Sequence, residues 1–268
     1  MDLIQAFVLG VVQGFSEFLP ISSTAHLRIV PHILGWPDPG TEFSAIIQLG
    51  TLIAVIIYFR HDVWHLSKAA IESILKLEPM RTADSRMAWS IAVGTIPVVV
   101  LGLVLKDFIK NEIRELWVIG SALIVLAIFL FLAEKLSPRN RDIKQLSFVQ
   151  IQLIGLTQAL ALIPGCSRSG STIMGGLIVG LNREAAARFS FLLGLPAIFG
   201  SGLYELKELI EIGISIDHYL NLAVGITTAF VTGYISIDFL LHFIRNHGTL
   251  VFVIYRILIG TGILIFLV

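Results

Sequence analysis

Apolar residues fill most of the chain in long runs, and the few polar residues inside those runs gather in two places. Six runs are long, apolar and bounded by charges, at 41–59, 87–105, 116–133, 185–203, 219–243 and 249–267. A helix rising 1.5 Å per residue needs about 20 apolar residues to cross a hydrocarbon layer of about 30 Å, so this pattern predicts about six full spans. Two further apolar regions, 1–32 and 148–181, are interrupted. Gln13, Glu17, Pro20 and a Ser-Ser-Thr run break the first; Gln158, Pro164 and a Ser- and Arg-rich stretch break the second. Each reads as a re-entrant helical hairpin, because irregular backbone at membrane depth survives only where protein or a water-filled cavity lines it. The fold class expected is an all-α integral membrane protein.

The two halves echo one another. Gly10-x-x-Gln13 with Pro20 matches Gly155-x-x-Gln158 with Pro164, and Phe43-Ser44 recurs as Phe189-Ser190. Ala92-Val93-Gly94, Gly102 and Asp107-Phe108 recur as Ala223-Val224-Gly225, Gly233 and Asp238-Phe239. Matches in one order along the chain point to an internal duplication. The reading is a single membrane domain, 1–268, with repeat one at 1–133, a linker at 134–147 and repeat two at 148–268. One hairpin plus three spans is an odd number of crossings, which inverts the second copy. In inverted repeats the site lies near the midplane, where the two hairpins meet.

Composition sharpens this picture. Hydrophobic residues make up 56% of the chain and charged residues 14%, with a mean hydropathy of +0.87, more apolar surface than a soluble core can hide. Zero formal net charge, with no basic, aromatic-interleaved surface, argues against nucleic acid as a partner. Cys166 is the single cysteine, so there is no intrachain disulfide. Met1-Asp2-Leu3 offers no basic leader region, and the first apolar run reads as a retained segment. Segment 60–86 carries Arg60, Lys68, Lys76, Arg81 and Arg86, and 134–147 carries Lys135, Arg139, Arg141 and Lys144, whereas 204–218 has only Lys207. The first two segments are therefore expected in the cytoplasm, although Lys106, Lys110 and Arg114 in the 106–115 loop pull the other way. Both termini and the mouth of the first hairpin then face outward.

Candidate chemistry sits in the hairpins. Gln13 and Glu17 share a helix face about 6 Å apart along the axis, and two such oxygen-bearing side chains could hold a hard cation. An ionisable residue in an apolar segment costs roughly 2.5–3.5 kcal/mol, which makes Glu17 a functional candidate; a solvated carboxylate at the interface is the bland alternative. Ser22-Ser23-Thr24-Ala25-His26 follows the proline. Ser23 and His26 share a face if the helix resumes there. A histidine near an alcohol suggests activation of a nucleophile or an acid for a leaving phosphate. Equally, the hydroxyls could cap the restarting helix, with His26 an ordinary interfacial residue.

The second hairpin holds Pro164-Gly165-Cys166-Ser167-Arg168-Ser169-Gly170-Ser171-Thr172. Glycines admit close backbone approach, the following helix offers its positive end, and the hydroxyls add donors, which together suit phosphate. Arg168 is the strongest element, because a guanidinium stays charged when partly desolvated and can grip two phosphate oxygens; a structural ion pair, even to Glu17, is its alternative. No Gly-Lys-Ser/Thr ending makes this a Walker A loop. Gln48, Asp107, Glu205, Asp238 and Arg256 are expected at interfaces or in contacts between helices.

Together, Gln13-x-x-x-Glu17 with Ser22-Ser23-Thr24-x-His26, and Pro164-Gly165-x-Ser167-Arg168-Ser169-x-x-Thr172, resemble the bacterial undecaprenyl-pyrophosphate phosphatase family associated with bacitracin resistance. The resemblance covers essentially the whole chain. It implies an inverted repeat with two re-entrant hairpins in the bacterial plasma membrane. It also implies removal of the terminal phosphate from a polyprenyl pyrophosphate lipid, which recycles the carrier for peptidoglycan. Carried onto this chain, it implies that Arg168, Gly165, Ser167, Ser169 and Thr172, with Ser22 and Thr24, hold the pyrophosphate. Glu17, helped by Gln13, would bind Mg²⁺ or Ca²⁺, His26 would serve as acid/base, and Ser23 is a candidate nucleophile. Gln13 is the neutral choice at a position the family also fills with Glu, which leaves most of any metal role to Glu17. Attack by Ser23, by His26 or by an activated water all stay open, as do monomer and homodimer. A transporter or flippase of a phosphate-bearing lipid or anion is the rival reading, since broken helices in inverted repeats also describe secondary transporters.

Overall fold

The computed structural model describes residues 1–111, 113, 115–212 and 216–268. Its regular elements are helical: α1 (Leu3–Phe18), α2 (Ser23–Leu34), α3 (Gly40–Tyr58), α4 (Arg60–Leu75), α5 (Ala83–Val104), α6 (Lys106–Asn111), α7 (Leu116–Leu136), α8 (Phe148–Gln158), α9 (Arg168–Ile178), α10 (Arg183–Ile212), α11 (Ile216–His247) and α12 (Leu250–Phe266). Arg114 and the side chains of Asp107 and Lys110, on which part of the sequence reading leaned, lie outside the described residues.

Ala83–Val104, Leu116–Leu136, Arg183–Glu208 and Tyr219–His247 are long and apolar enough to cross a bilayer, and α3 with α4 makes a fifth span if that bent pair is counted as one. The chain is an all-α, multi-pass membrane protein. Two of the six expected spans come out differently. The run at 249–267 forms a 17-residue helix, α12, about 25 Å long at 1.5 Å per residue. The run at 41–59 forms α3, which ends at Tyr58, where the chain turns through 89° into α4. The turn coincides with the first charges, Arg60, His61 and Asp62. Segment 60–86, read from its charges as a loop, is thus largely helical. One side of α4 packs Val63 and Leu66 against the core, while Trp64, Ile71 and Leu75 stay exposed, the pattern of a helix lying along an interface.

Both interrupted regions form broken hairpins. Residues 19–22 separate α1 from α2. A 3₁₀ turn, Ala159–Leu162, and the loop 163–167 separate α8 from α9. Each second helix starts in the same way. Ser22 (φ 77°) and Ser167 (φ 66°) adopt positive φ, and their hydroxyls accept from the amides of Ala25 (3.4 Å) and Gly170 (3.1 Å). The hydroxyl cap satisfies an amide that the break leaves without a helical partner.

The hairpins do not pack mainly on their own halves. Helix α1 crosses α11, where a Cβ at Gly10 would come within 2.6 Å of the Gly225 carbonyl oxygen. Helix α8 crosses α5, where a Cβ at Gly155 would come within 2.8 Å of the Gly94 Cα. Glycine lets the backbones touch and gains dispersion contacts that lipid tails cannot supply. The core continues beneath the breaks, with Phe18 edge-on to Phe191 at 5.1 Å between ring centroids, surrounded by Ile154, Ile173 and Leu193.

Candidate active site

The two breaks meet. Ser169, at the start of α9, donates its hydroxyl to the Leu19 carbonyl in the first break (3.1 Å), and the Gly165 amide of the second break donates to Thr24 Oγ1 (3.4 Å). Residues about 150 positions apart in the chain therefore share one junction.

Glu17 is its centre. The residue is 5% exposed, and its carboxylate receives three donors: Arg168 Nη2 on Oε1 at 3.0 Å, and Gln13 Nε2 (2.8 Å) and Ser23 Oγ (2.7 Å) on Oε2. The first donor spans the hairpins as an ion pair. A buried carboxylate is costly unless paired and hydrogen-bonded, and here it is both. The alternative reading of Arg168, a partner for Glu17, is what the structure contains. Two polar atoms of this cluster, Arg168 Nε and Gln13 Oε1, nevertheless stay buried without a hydrogen-bond partner among the described residues. One is a charged donor and the other an acceptor, and both belong to the Glu17 cluster.

Arg168 lies where it does because α10 has no side chain at 194. A Cβ there would sit 2.5 Å from the guanidinium carbon and closer still to Nη1. Nη1 also donates to the Ser190 carbonyl (3.3 Å). Thr172 turns the same way, with its Oγ1 2.5 Å from Ser190 Oγ.

Ser23 and His26, which share a face if the helix resumes, do not bond each other. Ser23 turns inward to Glu17, while His26 Nδ1 sits 2.7 Å from the Ser22 carbonyl oxygen and Nε2 sits 2.7 Å from the Tyr255 hydroxyl. The reason is the break itself: Ser23 is the first residue of α2, so its side chain reaches back towards α1, whereas His26 reaches the Ser22 carbonyl one turn below. Ser22 and Ser167 act as caps, and the Ser22 hydroxyl also lies 3.0 Å from Thr24 Oγ1. Capping, weighed from sequence as the bland reading of the hydroxyls, describes these two serines but not Ser23.

Arg256, expected at an interface or in a contact between helices, makes such contacts and also ties the two breaks together. It is 0% exposed, and its guanidinium donates to the carbonyls of Pro20 (3.1 Å), Gly165 (2.9 Å) and Cys166 (3.3 Å) at the two breaks. It also donates to Ala122 (3.4 Å) and Leu123 (3.1 Å) on α7. Carbonyls freed by broken helices need donors, and the five N–H bonds of guanidinium suit that task. The junction holds Arg168 and Arg256 against one carboxylate, leaving one positive charge in excess, which favours an anionic ligand. Sequence reasoning also missed Gly194 and Tyr255. Neither carries a local motif, and only chain topology brings them here.

The family model for the bacitracin resistance protein BacA matches residues 6–262. An undecaprenyl-diphosphatase of Chloroherpeton thalassium is 52% identical over 272 residues, covering 98% of this chain and 96% of that protein. Another, of Chlorobaculum tepidum, is 50% identical over 273 residues, covering 99% and 97%. A third, of Myxococcus xanthus, is 51% identical over 267 residues, covering 100% and 90%.

Proposed function

The chain belongs to the bacitracin resistance protein BacA family, and from that premise we propose that it is an undecaprenyl-diphosphatase. It removes the terminal phosphate of undecaprenyl pyrophosphate and yields undecaprenyl phosphate and inorganic phosphate. The observation that carries this reading is the buried Ser23–Glu17–Arg168 chain, 2.7 and 3.0 Å at its two links, with Arg168 Nε left over as a donor.

A pyrophosphate oxygen on Arg168 Nε would complete the guanidinium fork, a charge-assisted bond in a dry site. It would bring the terminal phosphorus beside Ser23. The Ser23 hydroxyl already donates to Glu17 Oε2, so the carboxylate is in place to take its proton as Oγ attacks. Undecaprenyl phosphate departs, water then attacks the phosphoserine and gives its proton to the half-buried His26, and Glu17 returns its proton to Ser23 Oγ as inorganic phosphate leaves. Gln13 Oε1 is a buried acceptor with no hydrogen-bond partner among the described residues, on the amide whose Nε2 donates to Glu17. With Glu17 it would hold Mg²⁺ or Ca²⁺, hard cations that take oxygen ligands. When bound, the cation would neutralise phosphate charge.

Exposed Leu160 and Ile163, within the second break, offer an apolar rim for the prenyl chain. The exchange of glycine contacts between halves, Gly10 with Gly225 and Gly155 with Gly94, supports reading 1–133 and 148–268 as inverted repeats. The loop charges support a plasma-membrane orientation with the junction open to the outside.

The test is phosphate release from undecaprenyl pyrophosphate by the purified protein in detergent with Mg²⁺ or Ca²⁺, comparing wild type with Glu17→Ala, His26→Ala and Arg168→Ala. Release by wild type and its loss in all three folded variants is expected. A well-folded wild type that releases none, with or without metal, overturns the reading.

A further inference from the structure

We infer that Tyr255 of α12 is the positioning residue for His26, holding the imidazole Nε2 through both charge states of the ring. The inference rests on the phosphatase reading and adds to it a residue that neither hairpin motif contains.

The geometry fixes the proton positions. The neighbour of His26 Nδ1 is the Ser22 carbonyl oxygen at 2.7 Å, which can only accept, so Nδ1 carries a hydrogen. In the neutral ring Nε2 is then the acceptor, and the Tyr255 hydroxyl at 2.7 Å donates to it. When the ring is charged, Nε2 carries a hydrogen as well and the same hydroxyl oxygen accepts it, so the hydroxyl passes its own hydrogen to Nε2 as its oxygen takes another from the reacting side. Tyrosine can reverse roles in this way because its hydroxyl is both donor and acceptor; phenylalanine offers neither. The two rings lie nearly parallel, 9° apart with centroids at 5.6 Å, which limits imidazole rotation. The backbone of α12 is held firmly beneath them, since the next residue is Arg256, whose guanidinium ties α12 to both breaks. Arg256 is also the charged group acting on His26 from this helix. Tyr255 is the one side chain bonded to Nε2 among the described residues, so the proton that His26 exchanges passes through a hydroxyl held in place on the ring.

Tyr255→Phe keeps the stacked ring and removes the hydroxyl; Tyr255→Leu removes both. Phosphate release from undecaprenyl pyrophosphate is measured against pH for each, alongside ¹⁵N imidazole spectra of the full-length protein in detergent. Loss of one hydrogen bond of about 1.4 kcal/mol corresponds to about a tenfold fall in kcat. We expect that fall in Tyr255→Phe with KM unchanged, a displaced pH limb and a moved Nε2 resonance. A Tyr255→Phe profile that overlays wild type while Tyr255→Leu is impaired would make the residue mere packing and overturn the inference. The ¹⁵N arm does not depend on turnover. A wild type that releases no phosphate defeats the phosphatase reading, whereas an Nε2 signal unmoved by Tyr255→Phe defeats the Tyr255 assignment by itself.

Discussion

Gly194→Ala adds one methyl group and should disable the site. The new Cβ would lie 2.5 Å from the Arg168 guanidinium carbon, whereas carbon atoms pack at about 3.5–4.0 Å. The guanidinium must therefore retreat by about 1 Å or more. Its Nη2 is 3.0 Å from Glu17 Oε1, so such a shift carries it beyond hydrogen-bond range. A charge-assisted bond of this kind contributes roughly 1.5–3 kcal/mol, and a misplacement of about 1 Å can cost about 10²-fold in rate. We expect kcat/KM for undecaprenyl pyrophosphate to fall about 10²-fold, equivalent to about 2.7 kcal/mol. Alanine favours helix over glycine by up to about 1 kcal/mol, so general loss of α10 is not the expected cause. Gly200→Ala, in the same helix with no atom within 4 Å of the new Cβ, is the control and should turn over like wild type. Phosphate release by the two variants, each checked for monodisperse folding, decides the matter. A Gly194→Ala enzyme with wild-type kcat/KM would refute the seating of Arg168 in this groove.

Ser23→Ala should lose turnover by at least about 10²-fold with little change in thermal unfolding. Ser22→Gly should keep most of its turnover, since glycine suits φ 77° and replacing a cap by glycine costs only a few tenths of a kcal/mol; equal turnover in both variants would remove Ser23 as nucleophile. Arg256→Lys keeps the charge but cannot serve the five carbonyls at once. Each one left unpaired costs about 1–3 kcal/mol, so the melting temperature in detergent should drop sharply, and an unchanged one would sink this role. Gln13→Glu places a second carboxylate beside Glu17 and should lower the Mg²⁺ or Ca²⁺ concentration needed for half-maximal turnover. A titration unchanged from wild type would exclude Gln13 and Glu17 as the cation seat.

Much of this protein was readable from its residues. Polar groups are rare enough in an apolar chain that Gln13, Glu17 and Arg168 announce themselves, because burying them is costly unless they work together. Pro20 and Pro164 mark the breaks because proline cannot continue a helix. The helix α4 was hidden because charge alone reads as a loop, while its apolar side shows only once the 89° turn lays it flat. Whether Ser23 and His26 meet is open in the sequence, because spacing cannot say which way a side chain turns at the first residue of a helix.

What the sequence determined by itself is the solvent, the two broken hairpins and the motif residues, since each follows from local hydropathy and local backbone chemistry. Only the tertiary structure decided that Ser23 bonds Glu17, that Gly194 makes room for Arg168, and that α12 brings Tyr255 to His26 and Arg256 to both breaks. Those contacts join residues up to 236 positions apart. No local pattern encodes them, because they depend on how whole helices cross.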